Sequence, residues 1–235
     1  RNKILPEIFL VFFFFFFLST FSFGQANDRS SHQLSSLNGA YHSYTELESE
    51  LKKLALNYPS IVRLCILGQS LENRNIYALK ISNHPGRPEN EPRVAFLGCH
   101  HAREWMSVEV PLQLANYLIK NYDKDERVKA IVDSSEIWIV PLVNPDGLDY
   151  SILNYRLWRK NRRLNGDGSF GVDLNRNYSF GWGADDSGSS PRPSSETYRG
   201  SQPFSEPETQ AIRNLFLNVN FSATISYHSF SQSIL

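Results

Sequence analysis

The chain has 235 residues, 41% of them hydrophobic and 13% aromatic, and its formal net charge at pH 7 is zero. This length and composition predict one substantial packed domain and exclude a chain that is mainly disordered. Proteins that bind nucleic acid usually carry an excess of positive charge, so no nucleic acid is expected as a partner.

The N-terminal segment has the pattern of an export signal. Arg1 and Lys3 precede an apolar run over residues 8–18, and small residues follow it. We predict a signal peptide over residues 1–24 and a Ser- and Asn-rich linker over residues 25–39. An uncleaved anchor is the alternative, but the run is shorter than the roughly 20 residues that span a membrane. The protein is therefore expected to be secreted or periplasmic, and to meet a membrane only during export.

Residues 40–235 are predicted to form one domain in which helices alternate with strands. The first helix begins at Ser43, which has capping-box spacing to Glu46, and ends before Pro59. Asn144 to Gly147 is predicted to be a tight turn that ends a strand. The elements predicted between these points are a hairpin of strands 62–67 and 76–81, a buried strand 94–97, helices 107–121 and 126–132, and a strand 137–143.

The segment from Asn144 to Gln202 is polar, rich in glycine and weakly periodic. A segment of this length without regular structure is expected to build a functional site. A second capping box, Ser205 with Glu208, predicts a helix that ends near Asn218, and a strand follows over residues 222–227. The predicted fold is a three-layer α/β/α sandwich around a mixed, mostly parallel central sheet.

Metal-binding side chains stand directly after the strand over residues 94–97. His100, His101 and Glu104 lie close together in sequence, and either histidine could share a divalent ion with Glu104. The alternative is a polar loop that leads into a helix with an acid in its first turn. His228 follows the last predicted strand, and ligands in such sheets bind beyond the carboxyl ends of strands. Two histidines, a glutamate and a position left to water are typical of catalytic zinc.

Residues 155–163 carry five positive charges among aromatic residues, which fits nucleic-acid binding, a solvated basic face or a pocket for anionic substrate groups. Asn175 and Arg176 offer an amide beside a planar guanidinium, a pair suited to a carboxylate. The two cysteines of the chain lie in apolar surroundings and are predicted to be free thiols.

Four separate motifs resemble, in this order, those of zinc metallocarboxypeptidases of the carboxypeptidase A/B type. They are His101-Ala102-Arg103-Glu104-Trp105, Arg156-Leu157-Trp158-Arg159-Lys160, Gly171-Val172-Asp173-Leu174-Asn175-Arg176-Asn177 and Tyr227-His228-Ser229. Two more stretches, Asn144 to Gly147 and Ser195 to Gly200, resemble the bacterial carboxypeptidase T-like branch. That resemblance suggests a calcium site at Glu89 and Glu91, and the alternative is a solvated Pro-rich loop. The resemblance implies a hydrolase that removes single C-terminal residues from peptides and proteins.

The resemblance also implies roles for individual side chains. His101, Glu104 and His228 would hold one Zn²⁺ ion, and Asp173 would hydrogen-bond the His101 ring. Arg159 would stabilise the oxyanion that forms at the scissile carbonyl. The terminal carboxylate of the substrate would be bound by Asn175 and Arg176, with help from Arg103.

The chain departs from the family pattern in two places. Phe230 and Ser233 replace an aromatic residue with a hydroxyl and a larger residue. The general-base glutamate of the family would lie downstream of Leu235, so the C-terminal third of the catalytic domain is expected to be missing and the isolated chain to be inactive or severely impaired. The alternatives are a catalytically dead module that binds zinc or peptide and a small-molecule zinc deacylase. No oligomeric state is predicted.

Overall fold

A computed structural model describes residues 41–229. Its helices are α1 (Tyr44–Asn57), α2 (Met106–Asn121), α3 (Glu126–Asp133), α4 (Pro145–Leu153) and α5 (Pro207–Asn218), and a 3₁₀ helix spans Leu174–Arg176. Its strands are β1 (Val62–Gln69), β2 (Asn75–Ile81), β3 (Arg93–Leu97), β4 (Glu136–Val140) and β5 (Ala223–Ser226). The predicted signal peptide and linker, and the departures at Phe230 and Ser233, lie outside the described residues. No helix within residues 41–229 is long and apolar enough to cross a membrane.

The five strands form one mixed sheet in the order β1-β2-β4-β3-β5. The hairpin of β1 and β2 is antiparallel, as predicted, and β2 also pairs antiparallel with β4. Strand β3 lies parallel to both β4 and β5. The predicted mixed sheet is thus confirmed; of the four strand pairs within residues 41–229, two are parallel and two are antiparallel.

Helices cover both faces of the sheet, which confirms the three-layer architecture. Along β2, Tyr77 and Leu79 point into a core shared with α1, α2 and α3, whereas Ile76 and Ala78 point into a second core shared with α5. This alternation follows from the period of two in a strand. Because both faces are apolar, the central strands carry almost continuous hydrophobic runs and cannot be assigned to one face from the sequence.

Most helix and strand limits agree with the sequence prediction to within two residues, and the capping box at Ser43 and Glu46 forms as expected. Strand β4 ends at Val140, three residues earlier than predicted. Asn144 to Gly147 do not form the predicted tight turn but begin α4. The Asn144 side chain caps this helix by accepting the Gly147 N–H, and Pro145 occupies the first turn. Both cysteines are free, as predicted.

The second predicted capping box was wrong. Glu206, not Ser205, is the N-cap residue of α5, and no side chain caps the helix there. The Ser205 hydroxyl hydrogen-bonds Glu206 and Asn177, and the Glu208 carboxylate accepts N–H groups of Leu71 and Asn161. Tertiary hydrogen bonds therefore take both side chains away from the local cap that their spacing suggested.

Candidate metal centre

The topology places the predicted ligands at one edge of the sheet. Strands β3 and β5 are parallel neighbours, with Leu97 opposite Ser226 at their carboxyl ends. His101 and Glu104 follow β3, and His228 follows β5 by two residues. Neighbouring parallel strands end together, so groups far apart in sequence meet there.

The backbone turns sharply between β3 and α2. A side chain at Gly98 would collide with the backbone oxygens of Ser107 and Pro141, the latter at 2.5 Å from its Cβ. Cys99 has a φ angle of +52°, in the left-handed region. The Glu104 N–H donates to the His101 carbonyl at 3.1 Å. This turn brings the His101 and Glu104 side chains onto the same side of the chain, one turn ahead of α2.

Side-chain atoms of His101, Glu104 and His228 converge beside this turn. The Nδ1 atom of His101 lies 2.9 Å from Oε1 of Glu104, and Nδ1 of His228 lies 3.0 Å from Oε2. The two Nδ1 atoms are 3.1 Å apart. Within residues 41–229, these three form the only group of three or more His, Cys, Asp or Glu side chains with ligand atoms within 4.8 Å of one another.

The outer nitrogen of each histidine has its own partner, which tests whether the group suits a metal. His101 Nε2 lies 3.2 Å from Asp173 Oδ1, and His228 Nε2 lies 3.4 Å from Ser226 Oγ. When these outer nitrogens carry the hydrogens, both Nδ1 lone pairs and a carboxylate oxygen point at one position. Two lone pairs only 3.1 Å apart repel unless a cation lies between them. The donor set therefore fits a divalent ion with nitrogen and oxygen ligands.

Burial and hydrogen bonding set the charge of the cluster. Burial alone would raise the pKa of Glu104, but where the Nδ1 atoms of His101 and His228 carry hydrogens, the hydrogen bonds they donate hold that pKa well below its ordinary value. Burial likewise opposes ionisation of Asp173, whose pKa is nevertheless lowered by hydrogen bonds and charge from His101 and Arg159. Both carboxylates thus stay ionised near neutral pH, which supplies negative charge for a cation.

His100 does not join the cluster. It is 2% exposed, and its Nε2 lies 2.8 Å from the Tyr178 hydroxyl while its Nδ1 faces Ser226 Oγ at 3.4 Å. Burial, together with the nearby His228 and His101, lowers the pKa of His100 to about 3, so the ring is neutral. The structure decides between the two adjacent histidines in favour of His101 as the one that faces Glu104.

Asp173 connects the cluster with Arg159. The Asp173 carboxylate accepts hydrogen bonds from Arg159 Nε at 3.0 Å and Nη2 at 2.8 Å, in addition to its contact with His101. Its Oδ1 also accepts the Asn175 N–H at 3.0 Å, so Asp173 caps the 3₁₀ helix that carries Asn175 and Arg176. One buried carboxylate therefore fixes the positions of a histidine ring, a guanidinium and the next segment of the chain.

Asn175 and Arg176 line a cavity of about 350 Å³ together with residues of the segment 178–189. Arg176 is held there by the Gly188 carbonyl, which accepts from Nε at 2.7 Å. The predicted helper, Arg103, donates to the Leu157 carbonyl at 3.4 Å and lies 3.8 Å from the Glu196 carboxylate. The structure thus groups Asn175 and Arg176 in one cavity, and Arg103 contacts a different segment.

The basic segment over residues 155–163 is held by internal contacts. Arg156 stacks on the Trp105 ring at 3.7 Å, and Arg162 stacks on Tyr150 at 3.6 Å. Other charges in the segment bond within the protein: Arg159 to Asp173, Lys160 to the carbonyls of Pro193 and Ser195, and Arg163 to Glu206. These contacts fix the segment beside the metal cluster.

Glu89, in the loop considered for calcium, pairs with Arg87 and His84.

Sequence reasoning missed two groups near the cluster, Ser226 and Tyr178. Ser226 lies two residues before His228, and side chains two apart share a face of a strand, so this spacing was a usable signal. Tyr178 is 78 residues from His100, and no local pattern connects the two. The backbone N–H of Ser229, which donates to Glu104 at 3.1 Å, was also not predictable from residue types.

Comparison with known proteins decides the family. Residues 47–235 match the family model described as zinc carboxypeptidase. The chain belongs to the zinc carboxypeptidase family. The cofactor of this family is zinc, in agreement with the nitrogen and oxygen ligands that converge at Glu104.

Among curated relatives, a zinc carboxypeptidase of Saccharothrix mutabilis subsp. capreolus is 41% identical over 145 residues, which are 61% of this chain and 33% of the relative. Zinc carboxypeptidase A 1 of Anopheles gambiae is 36% identical over 197 residues, 83% of this chain and 44% of the relative. This zinc carboxypeptidase chain therefore spans less than half the length of these relatives.

Solved structures agree with the fold. Bovine thrombin-activatable fibrinolysis inhibitor, in complex with a tick carboxypeptidase inhibitor, has a TM-score of 0.72 and 34% identity, over 82% of this chain and 62% of that one. Carboxypeptidase A from Helicoverpa armigera has a TM-score of 0.74 and 32% identity, over 81% of this chain and 46% of that one. The mixed sheet with helices on both faces is thus the carboxypeptidase fold.

Proposed function

We propose that the protein acts as a metallocarboxypeptidase that removes single residues from the C-termini of peptides and proteins, with one zinc ion held by His101, Glu104 and His228. The observation that carries this proposal is the convergence of two Nδ1 atoms and a carboxylate within 3.1 Å of one another. Zinc bound there supplies a Lewis acid that activates water and polarises a carbonyl.

The surrounding side chains fit a substrate with a free C-terminus. Arg176 uses Nε and Nη1 to bond the carbonyls of Gly188 and Asn175, an arrangement that leaves Nη2 for the substrate carboxylate. Arg159 uses Nε and Nη2 to bind Asp173, which leaves Nη1 to donate to the scissile carbonyl. A guanidinium fixed in this way stabilises the charge that develops on that oxygen without having to reorganise during the reaction.

The first test concerns the metal. The protein should bind one equivalent of zinc, and Glu104→Gln and His228→Ala should each weaken binding in a competition with a coloured chelator. The matched control is Glu196→Gln, since that carboxylate is 61% exposed and outside the cluster. Zinc binding that survives both cluster substitutions would rule out the assigned ligands.

The second test concerns the substrate. We expect the zinc-loaded chain to bind a peptide with a free C-terminal carboxylate, and the same peptide with a C-terminal amide to bind much more weakly. Release of the last residue is expected from a longer protein that includes the general-base glutamate, and slowly or not at all from the isolated chain. Arg176→Gln should remove the preference for the carboxylate. Binding of the free acid without any release by that longer protein would favour the dead binding module, and release of acyl groups from N-acyl amino acids with peptides left intact would favour the deacylase.

We also propose export of the chain, on the basis of the charged and apolar pattern over residues 1–24. A reporter that is active only outside the cytoplasm, fused after residue 39, tests this proposal. Activity should depend on the apolar run, and it should disappear when charged residues replace two of the phenylalanines in that run.

A further inference from the structure

We propose that Tyr178, His100 and Ser226 form a hydrogen-bond relay of fixed direction that orients His228 for zinc. The inference deepens the proposed function and rests on its assignment of His228 as a ligand. Three contacts join the four side chains in a row. Tyr178 Oη lies 2.8 Å from His100 Nε2, His100 Nδ1 lies 3.4 Å from Ser226 Oγ, and Ser226 Oγ lies 3.4 Å from His228 Nε2.

The ligand at one end fixes the direction of the relay. Because His228 Nδ1 faces Glu104 and His101, its lone pair is used there, and the ring hydrogen must sit on Nε2. His228 Nε2 therefore donates to Ser226 Oγ. The Ser226 hydroxyl then directs its own hydrogen to His100 Nδ1, which is the other ring nitrogen within hydrogen-bonding distance of it among residues 41–229.

The contact with Ser226 also determines which nitrogen of His100 carries the hydrogen. With Nδ1 accepting from Ser226, the neutral His100 ring carries its hydrogen on Nε2 and donates to Tyr178 Oη. Both His100 nitrogens face hydroxyl groups at hydrogen-bonding distance, so either tautomer could exist if the ring stood alone. The contact with His228, passed on by Ser226, selects one of them. The tautomer of a buried, non-ligand histidine thus reports on the orientation of a ligand.

The relay gives His228 a hydrogen-bond partner on its outer nitrogen, as Asp173 does for His101. His101 is held from behind by the buried Asp173 carboxylate, a strong acceptor. Within residues 41–229, the hydrogen-bond partner behind His228 Nε2 is Ser226 Oγ. Strand β5 is exposed on its whole length, so this hydroxyl needs a second anchor, and the buried His100 supplies it. The His100 and His228 rings also stack, with centroids 5.9 Å apart and planes at 28°.

Zinc affinity, measured by chelator competition, tests the positioning role. Loss of a hydrogen-bond partner behind a metal ligand typically weakens metal binding about 10- to 100-fold, and we expect Ser226→Ala to fall in that range. Tyr178→Phe should give a smaller loss, because it acts through two intervening groups. The matched controls are Ser229→Ala and Tyr227→Phe, which remove hydroxyl groups on either side of His228 but outside the relay; both should bind zinc like the parent protein.

Nitrogen-detected NMR of the zinc-loaded protein tests the direction, which a merely structural role would not fix. We expect His100 and His228 each to be protonated on Nε2, and Ser226→Ala to allow the Nδ1-protonated form of His100. Protonation of His100 on Nδ1 in the parent protein would overturn the relay, and so would equal affinities of Ser226→Ala and Ser229→Ala. If His228→Ala leaves zinc affinity unchanged, the ligand assignment itself fails; if it weakens binding but Ser226→Ala does not, only the relay fails.

Discussion

Replacement of Glu208 by Gln should change how the stability of the protein depends on pH. Glu208 is fully buried at the start of α5, and its carboxylate accepts only two long hydrogen bonds, both of 3.3 Å, from Leu71 N and Asn161 Nδ2. The neighbouring Glu206 takes the guanidinium of Arg163 instead. Burial, and then repulsion from Glu206, raise the pKa of Glu208 to about 7 from its ordinary 4.5.

The size and sign of the effect follow from this shift. An acid with a raised pKa in the folded state contributes stability that is fully present below pH 4.5 and is lost as the pH rises through 7. The rise of the pKa from 4.5 to about 7 corresponds to about 3.4 kcal/mol over that whole window, since each tenfold change in proton affinity is about 1.36 kcal/mol. About 2 kcal/mol of this loss falls between pH 5.5 and pH 8.5, because the unfolded chain is already largely ionised at pH 5.5.

Urea unfolding of the parent protein and Glu208→Gln, at pH 5.5 and at pH 8.5 with the same excess of zinc, measures the difference. Gln carries no charge, so the variant should gain about 2 kcal/mol relative to the parent between the two pH values. Any constant cost of the substitution, and the titration of other groups, cancel in this comparison. Parallel stability curves for the two proteins would refute the reasoning, since they would mean that Glu208 titrates alike in the folded and unfolded states.

Three further substitutions test the packing around the site. Gly98→Ala should lower the unfolding temperature sharply, because the new Cβ would collide with two backbone oxygens. Gly166→Ala is the control, since a Cβ there meets open space. Equal effects of the two substitutions would contradict the close backbone approach at the turn after β3. The Asn177 side chain makes five hydrogen bonds, so Asn177→Ala should leave several buried groups unpaired, at a cost of about 1–3 kcal/mol of unfolding free energy for each. A loss under about 1 kcal/mol in chemical denaturation would be inconsistent with those bonds. Arg156→Ala removes the stacking on Trp105 and should cost only about 0.5–1 kcal/mol, so a much larger loss would point to a contact other than stacking.

Local sequence patterns predicted most of the helices and strands of the described residues. The capping box at Ser43 formed because both partners lie within one turn and, within residues 41–229, no distant segment hydrogen-bonds either side chain. The same spacing at Ser205 failed, because Asn177 and Asn161 reach those side chains from distant segments. A local pattern is thus decisive only where no tertiary hydrogen bond offers the same side chain a better partner.

The order of the strands in the sheet could not be predicted from local sequence patterns either. Strands β2, β3 and β4 are apolar on both faces, and such strands are compatible with several neighbours. Only the folded structure shows that β2 lies beside β4 and pairs with it antiparallel.

By itself, the sequence determined which residue types are present for metal chemistry and that they follow strands, and its four motifs indicated the family. The resemblance carried by those motifs also implied His101 as the ligand and Asp173 as its hydrogen-bond partner. Only the tertiary structure decided that Arg159 shares the Asp173 carboxylate and that Ser226 stands behind His228. The physical reason is that the site joins segments far apart in sequence: His101 lies 3.2 Å from Asp173, 72 residues away, and Glu104 lies 3.0 Å from His228, 124 residues away. Residue spacing along the chain does not encode those distances, and the packing of β3 beside β5 does.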